Sequence, residues 1–211
     1  MKPMLLVSIM WDDGLVSDLR LISILKRLGV TSTFAISPSR HQINRVVNDM
    51  RGDYGELVSR SELKEFAEFE ICNHTSNHLD LGKLDKNTTK REIVEGRQKL
   101  EDIFSKRVNG FCYPYGVYTT TAVEILAEEG VKYARTTKPS MQFNDCLLLH
   151  PNGKWSDFNL DIIDKRIKRL ILWGHTYELR TEKDWASVTD FYAKLASDPR
   201  FKIVTFNDIL D

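Results

Sequence analysis

The chain has 211 residues, of which 42% are hydrophobic and 28% charged, and its 30 basic and 30 acidic side chains cancel at pH 7. A chain of this size is expected to fold as one domain over residues 1–211 and to bury roughly 70% of the surface its unfolded form exposes, so it needs neither disulfides nor a structural metal. The even charge balance gives no electrostatic footprint for nucleic acid or for an anionic membrane surface, and any metal bound here is expected to serve chemistry.

The first apolar run, Met4–Trp11, follows Lys2 and ends in Asp12-Asp13 with no small-residue cleavage site. It reads as a strand rather than a signal peptide or a membrane span. Cys72, Cys112 and Cys146 are odd in number and have no Cys-x-x-Cys spacing. That pattern suits a reducing compartment, and a cytoplasmic location is expected.

Strand-length runs follow at Thr31–Ile36, Glu68–Asn73, Val108–Tyr113, Val131–Arg135, Cys146–Leu149, Leu170–Gly174 and Phe201–Phe206. Several are apolar at consecutive positions, as strands covered on both faces are. Between them lie helical patterns. The first carries Leu15, Leu19, Ile22, Leu25 and Leu28 and stops at Gly29, a residue suited to a left-handed helix end. Capping-box spacing marks further starts at Ser59/Glu62, Thr89/Glu92 and Thr121/Glu124, the last running to Gly130. A late helix sets Trp185, Val188, Phe191, Tyr192 and Leu195 on one stripe. The basic stretch Lys165–Arg169 reads as a solvated face. Alternating strand and helix implies a parallel sheet, doubly wound or closed, and eight strand candidates favour the barrel. In either form the strand ends are where chemistry sits.

Four strand ends carry such groups. The first ends in Asp12-Asp13-Gly14, adjacent carboxylates that are costly unless a cation shares them, though an isolated pair also serves as a cap and a solvated acid. The spacing does not fit an aspartyl-phosphate enzyme. The third ends in Asn73-His74-Thr75-Ser76-Asn77-His78, where two histidines four apart share one side of a helical turn and can hold one ion. With one of the two aspartates as third ligand, such a site keeps a position open for water. The fourth enters Cys112-Tyr113-Pro114-Tyr115-Gly116, a tight turn that offers a backbone N–H to an oxyanion beside rings able to hold a sugar face. The seventh, Leu170–Gly174, delivers His175.

In this order the motifs Asp12-Asp13-Gly14, His74-x-x-x-His78, Phe111-Cys112-Tyr113-Pro114-Tyr115-Gly116 and Leu172-Trp173-Gly174-His175 resemble the polysaccharide deacetylases, the NodB-type domains of carbohydrate esterase family four. The resemblance implies a distorted, partly open (β/α) barrel of about seven to eight parallel strands and one divalent metal ion, usually Zn2+. It also implies removal of acetyl groups from an N-acetylated sugar, oligosaccharide or polysaccharide. Carried over residue by residue, Asp12 looks like the general base and His175 like the general acid. Asp13, His74 and His78 look like the metal ligands, and the Tyr115 N–H looks like an oxyanion donor. Trp11, Tyr113, Pro114, Trp173 and Tyr177 are the expected substrate-binding residues, with Tyr115 and Trp155 among the aromatics near the site.

The sequence departs from the family at three points. Cys112 stands where the family has the arginine that orients the base, and Trp11 stands where it has phenylalanine. The late Asp-Trp motif that orients the catalytic histidine has no clear counterpart, Asp157 and Glu178 being the candidates, each also readable as a solvated or capping residue. His41, His150 and the Asp49–Glu56 loop read as surface or packing. Two other functions stay open at this point: the same chemistry on a small non-sugar amide, and a non-catalytic carbohydrate-binding domain.

Overall fold

The computed structural model describes residues 4–47, 55–141, 145–164, 167 and 169–210. Lys165, Arg166 and Lys168 of the basic stretch, and all of the Asp49–Glu56 loop except its last two residues, lie outside the described residues.

Among the described residues, ten strands and four α-helices follow along the chain: β1 (Leu5–Asp12), α1 (Val16–Leu28), β2 (Thr33–Ile36), β3 (Val46–Val47), β4 (Glu56–Leu57), β5 (Glu70–Asn73), α2 (Lys86–Phe104), β6 (Gly110–Cys112), α3 (Thr120–Glu128), β7 (Tyr133–Arg135), β8 (Gly153–Lys154), β9 (Arg169–Gly174), α4 (Glu182–Ser197) and β10 (Phe201–Ile203). All strands but β3 and β4, which form a small antiparallel hairpin, join one parallel sheet in the order β7-β6-β5-β2-β1-β9-β8. Because β9 pairs along Leu6–Trp11, the other edge of β1 is shared, with β10 beside Leu5–Val7 and β2 beside Met10–Asp12. The sheet curls until one segment spans its two ends. Leu149 bridges Arg135 of β7, and Gly153–Lys154 pairs with Leu172–Trp173 of β9. This thin seam makes the (β/α) barrel partly open, as expected. Among the described residues, no helix is long and apolar enough to cross a membrane.

Alternation along the strands assigns each residue to a face. Met10, Ala35, Cys72, Cys112, Tyr133 and Ile171 pack together inside the barrel, where Phe206 and Ile209 join them. Their neighbours in sequence point outward to the helices. Val7, Ile9, Trp11, Phe34 and Ile71 meet Leu21 and Leu25 of α1 and Val188 and Tyr192 of α4, while Phe111, Tyr113 and Ala134 meet Ile125 and Leu126 of α3. Low in the interior, Glu70 accepts hydrogen bonds from Thr33 Oγ1 (2.7 Å), Tyr133 Oη (3.0 Å) and the Asn207 N–H (3.2 Å).

Gly29 ends α1 at φ 66°, and α4 buries Trp185, Val188, Tyr192 and Leu195, as the sequence pattern predicts. Other boundaries differ. The cap of α2 is Asp85, four residues before Thr89, and Glu92 is free to reach the Asn77 N–H (2.8 Å) and Nδ2 (2.7 Å) instead. Helix α3 is capped by Thr119 rather than Thr121. Glu62 does accept from Ser59 N and Oγ, but a 3-10 turn at Glu62–Phe66 follows in place of an α-helix. The run Cys146–Leu149 is not a strand. Asp145 accepts from the Leu147 N–H (2.7 Å), and this local bond favours a 3-10 turn over extension.

Helix α2 sets the height of the loop after β5 through Gly96. A Cβ there would lie 2.8 Å from Ser76 N and 2.9 Å from the Thr75 carbonyl carbon, both backbone atoms that yield little. Gly96→Ala should gain about 1 kcal/mol of helix propensity and lose about 1–3 kcal/mol to overpacking. The expected net result is a lower melting temperature and a displaced His74–His78 loop, checked by thermal unfolding.

Candidate active site

Asp12 closes β1 on its inner face, and Asp13 and Gly14 follow in left-handed conformations, φ 87° and 73°. Gly14 is required twice over, because a Cβ there would also lie 2.7 Å from the His41 ring. The turn brings both carboxylates to the barrel mouth, buried and adjacent. The loop after β5 supplies His74 and His78. It is irregular rather than helical, with Thr75 and His78 both at φ 60°, so the two imidazoles meet through a strained loop instead of one helical turn. Their ring centroids are 4.5 Å apart, and His78 Nε2 lies 3.4 Å from Asp13 Oδ1.

Ligand atoms of Asp13, His74 and His78 all lie within 4.8 Å of one another. Burial pushes the pKa of both histidines down, well down for His74, so the rings are neutral. His74 Nδ1 donates to the Cys112 carbonyl (2.8 Å), which leaves the Nε2 lone pair for a ligand. Among the described residues, Asp13 Oδ1 and His78 Nδ1 are buried without a hydrogen-bond partner. Two neutral imidazoles and a carboxylate oxygen left without a hydrogen bond fit a divalent cation such as Zn2+. Asp12, His74 and Cys112 form a second cluster of the same size. It is the poorer set, because burial raises the Cys112 thiol well above its usual range and Asp12 is already paired with a cation.

That cation is Arg135, at the end of β7 and wholly buried. Its Nη2 donates to Asp12 Oδ2 at 2.5 Å. Burial alone would lower the pKa of the guanidinium, but Asp12 outweighs it and the pKa is raised.

His175, just beyond β9, points Nε2 at the same pair, 3.8 Å from Asp12 Oδ2 and 4.0 Å from Asp13 Oδ2. On its other side Nδ1 lies 3.5 Å from Glu178 Oε1, and Lys154 Nζ holds that carboxylate at 2.5 Å. Burial disfavours the imidazolium, yet Glu178, Asp12 and Asp13 together raise the His175 pKa. His175 therefore keeps its proton to a higher pH than an ordinary histidine. Glu178→Gln removes one of these charges and is expected to lower the pH at which His175 deprotonates, followed through its ring resonances by NMR. Behind this loop, Thr176 Oγ1 donates to Asp18 Oδ1 at 2.6 Å, and burial pushes Asp18 up to about 7.

The structure thus brings together Asp12, Asp13, His74, His78 and His175, with the Tyr115 ring 4.9 Å from that of His78. Tyr115 has φ 59° in the turn after β6. The Tyr177 ring stacks on His175 at 4.6 Å, and the half-buried Trp173 lies 5.4 Å from it. Trp11 and Tyr113 correct the expectation of substrate contact, because each is fully buried on the outward side of its strand. Trp11 Nε1 donates to Tyr192 Oη and Tyr113 Oη to the Leu147 carbonyl, both at 2.8 Å. Pro114 and Trp155 are buried as well, and Asp157 caps the Lys154 N–H (3.0 Å), so the carboxylate facing His175 is Glu178. His41 packs inside with Nδ1 on the Val58 carbonyl (2.9 Å), and His150 meets Thr136 Oγ1 (2.6 Å). Sequence reasoning misses Arg135, Lys154 and Asp18. A charged residue ending the short strand Tyr133–Arg135 is the one sequence signal among them.

A family model described as polysaccharide deacetylase matches residues 2–134. Among solved structures, a putative polysaccharide deacetylase from Mycobacterium smegmatis is 16% identical at a TM-score of 0.70, covering 97% of this chain and 88% of its own. The Streptococcus pyogenes deacetylase PplD, solved with acetate, is 21% identical at 0.58, and the match covers 68% of this chain and 62% of that one. A family 4 pseudoenzyme from Bacillus anthracis is 14% identical at 0.63, covering 100% of this chain and 67% of its own. No curated protein matches.

Proposed function

The chain belongs to the polysaccharide deacetylase family, and from that membership we propose that it is a metal-dependent hydrolase of carbon–nitrogen amide bonds that removes acetyl groups from an N-acetylated sugar, oligosaccharide or polysaccharide. The observation that carries this reading is the meeting of two carboxylates, two neutral imidazoles and one proton-retaining imidazole at the barrel mouth.

Asp13, His74 and His78 would hold the ion. A divalent cation, zinc by its donor set, acidifies water and polarises a carbonyl oxygen when bound in such a site. Asp12 serves as general base. Its Oδ2 is tied to Arg135, which leaves Oδ1 to accept the proton of an attacking water. The Tyr115 N–H donates to the oxyanion of the tetrahedral intermediate. His175, whose protonated form Glu178 and the two aspartates favour, gives its Nε2 proton to the departing amine. Without that proton an amine is a poor leaving group. Tyr177 and Trp173 beside His175 offer ring faces to a sugar. The three free cysteines suit a cytoplasmic setting and a soluble N-acetylated substrate.

Acetate release from N-acetylglucosamine oligomers and from simple acetamides, with zinc and with chelator, tests this reading. Zinc-dependent release from the oligomers supports it, and release from simple acetamides alone moves the substrate to small amides. Binding of oligomers without any release assigns a non-catalytic carbohydrate-binding domain.

A further inference from the structure

We propose that Arg135 is the positioning residue for Asp12, and that residues 112 and 135 form one exchangeable unit in which a small side chain on β6 makes room for an arginine reaching over from β7. The proposal rests on the reading of Asp12 as the base.

Cys112 and Arg135 are register partners on adjacent strands, so their side chains start at one level and enter the same interior. From there the Arg135 side chain runs over Cys112 towards β1. Each end of the guanidinium is fixed. Nε donates to Met10 Sδ (3.1 Å), Nη1 to the Thr136 carbonyl (3.1 Å), and Nη2 to both Asp12 Oδ2 (2.5 Å) and Cys112 Sγ (2.8 Å). The Trp173 ring covers one face, with the guanidinium carbon 5.1 Å from its centroid. Asp12 is the only carboxylate in this set, and Arg135 is its only cation at hydrogen-bond distance among the described residues.

This arrangement divides the labour between two adjacent acids. Arg135 compensates Asp12 and fixes which of its oxygens faces the mouth. Among the described residues Asp13 Oδ1 has no hydrogen-bond partner, and it is left for an ion. The cation therefore both orients the base and keeps it from competing for the metal. The thiol matters by its size. Cys112 Sγ lies 3.9 Å from both Asp12 oxygens, so a longer side chain at 112 would enter the space the guanidinium holds. An arginine there would set two guanidiniums against one carboxylate in a dry interior, whereas the same arginine without Arg135 would approach Asp12 from the neighbouring strand.

The test uses four zinc-loaded proteins: wild type, Arg135→Met, Cys112→Arg and the double variant. Readouts are kcat and KM for acetate release from N-acetylglucosamine oligomers, zinc content and melting temperature. Arg135→Met is expected to lower kcat by about 100-fold, the size of effect a misplaced reacting group produces, with KM and zinc content near those of wild type. Cys112→Arg is expected to fall as well, and the double variant to recover at least about tenfold of the kcat lost by Arg135→Met, a coupling that independent sites do not show. A kcat for Arg135→Met within about threefold of wild type, where orientation loss should cost far more, overturns the proposal. So does a double variant no better than Arg135→Met. Should the wild type release no acetate at all, the deacetylase reading falls and melting temperature decides the pairing: recovery in the double variant sustains the exchange, and its absence overturns it.

Discussion

Asp12→Asn is expected to lower kcat for acetate release by about a thousandfold or more, within the range general acid–base groups supply and with the added loss of an oriented base. The substitution keeps shape and removes the ability to take a proton. The amide oxygen would turn to Arg135, whose Nη2 already donates to Oδ2, and the amide nitrogen would then face the mouth as a donor. Zinc content should stay near that of wild type, because Asp13, His74 and His78 are untouched. The melting temperature should fall, since a wholly buried guanidinium loses its counter-charge. A carbohydrate-binding domain would behave differently, because Asp12→Asn would leave oligomer affinity intact with no turnover to lose. Turnover persisting within about tenfold of wild type, less than a lost general base costs, would move the base elsewhere, and Glu178, already engaged by Lys154 and His175, offers no ready substitute.

Period-two alternation, applied strictly, sorts the expected aromatics from the amino-acid sequence alone. If Asp12 faces inward, Trp11 must face the helices, and if Cys112 faces inward, so must Tyr113 turn away. Consecutive apolar residues hide this, because both faces of a parallel strand are covered. The proposed metal ligands, base and acid are legible because each sits at or just after the end of a strand. The charged groups that contact them are not. Arg135 reaches Asp12 over 123 residues of chain and Lys154 reaches Glu178 over 24, and neither contact has a local spacing to recognise. The helix expected for His74 and His78 fails for a related reason. A four-residue repeat suits either a helical turn or a loop that folds back, and the left-handed Thr75 and His78, held over Gly96 of α2, select the loop.

His78→Ala should strip the ion from the protein and with it all measurable hydrolysis. Wild type, loaded with zinc and freed of excess by buffer exchange, is expected to retain about one ion per chain, as an open three-ligand site does. Removing His78 leaves one imidazole and one carboxylate, and Asp13 Oδ1 loses the ring nitrogen that lies 3.4 Å from it. The effect on the fold should be small by comparison. His78 lies in a loop, its Nδ1 makes no hydrogen bond among the described residues, and its left-handed backbone is strained for any side chain. Elemental analysis of both proteins, beside thermal unfolding without metal, separates the two effects. Loss of zinc with an unchanged metal-free melting temperature identifies His78 as a ligand. Equal zinc in the two proteins would remove it from the ligand set, and the remaining donors would then be Asp12, His74 and Cys112, a set that binds only if the buried thiol gives up its proton.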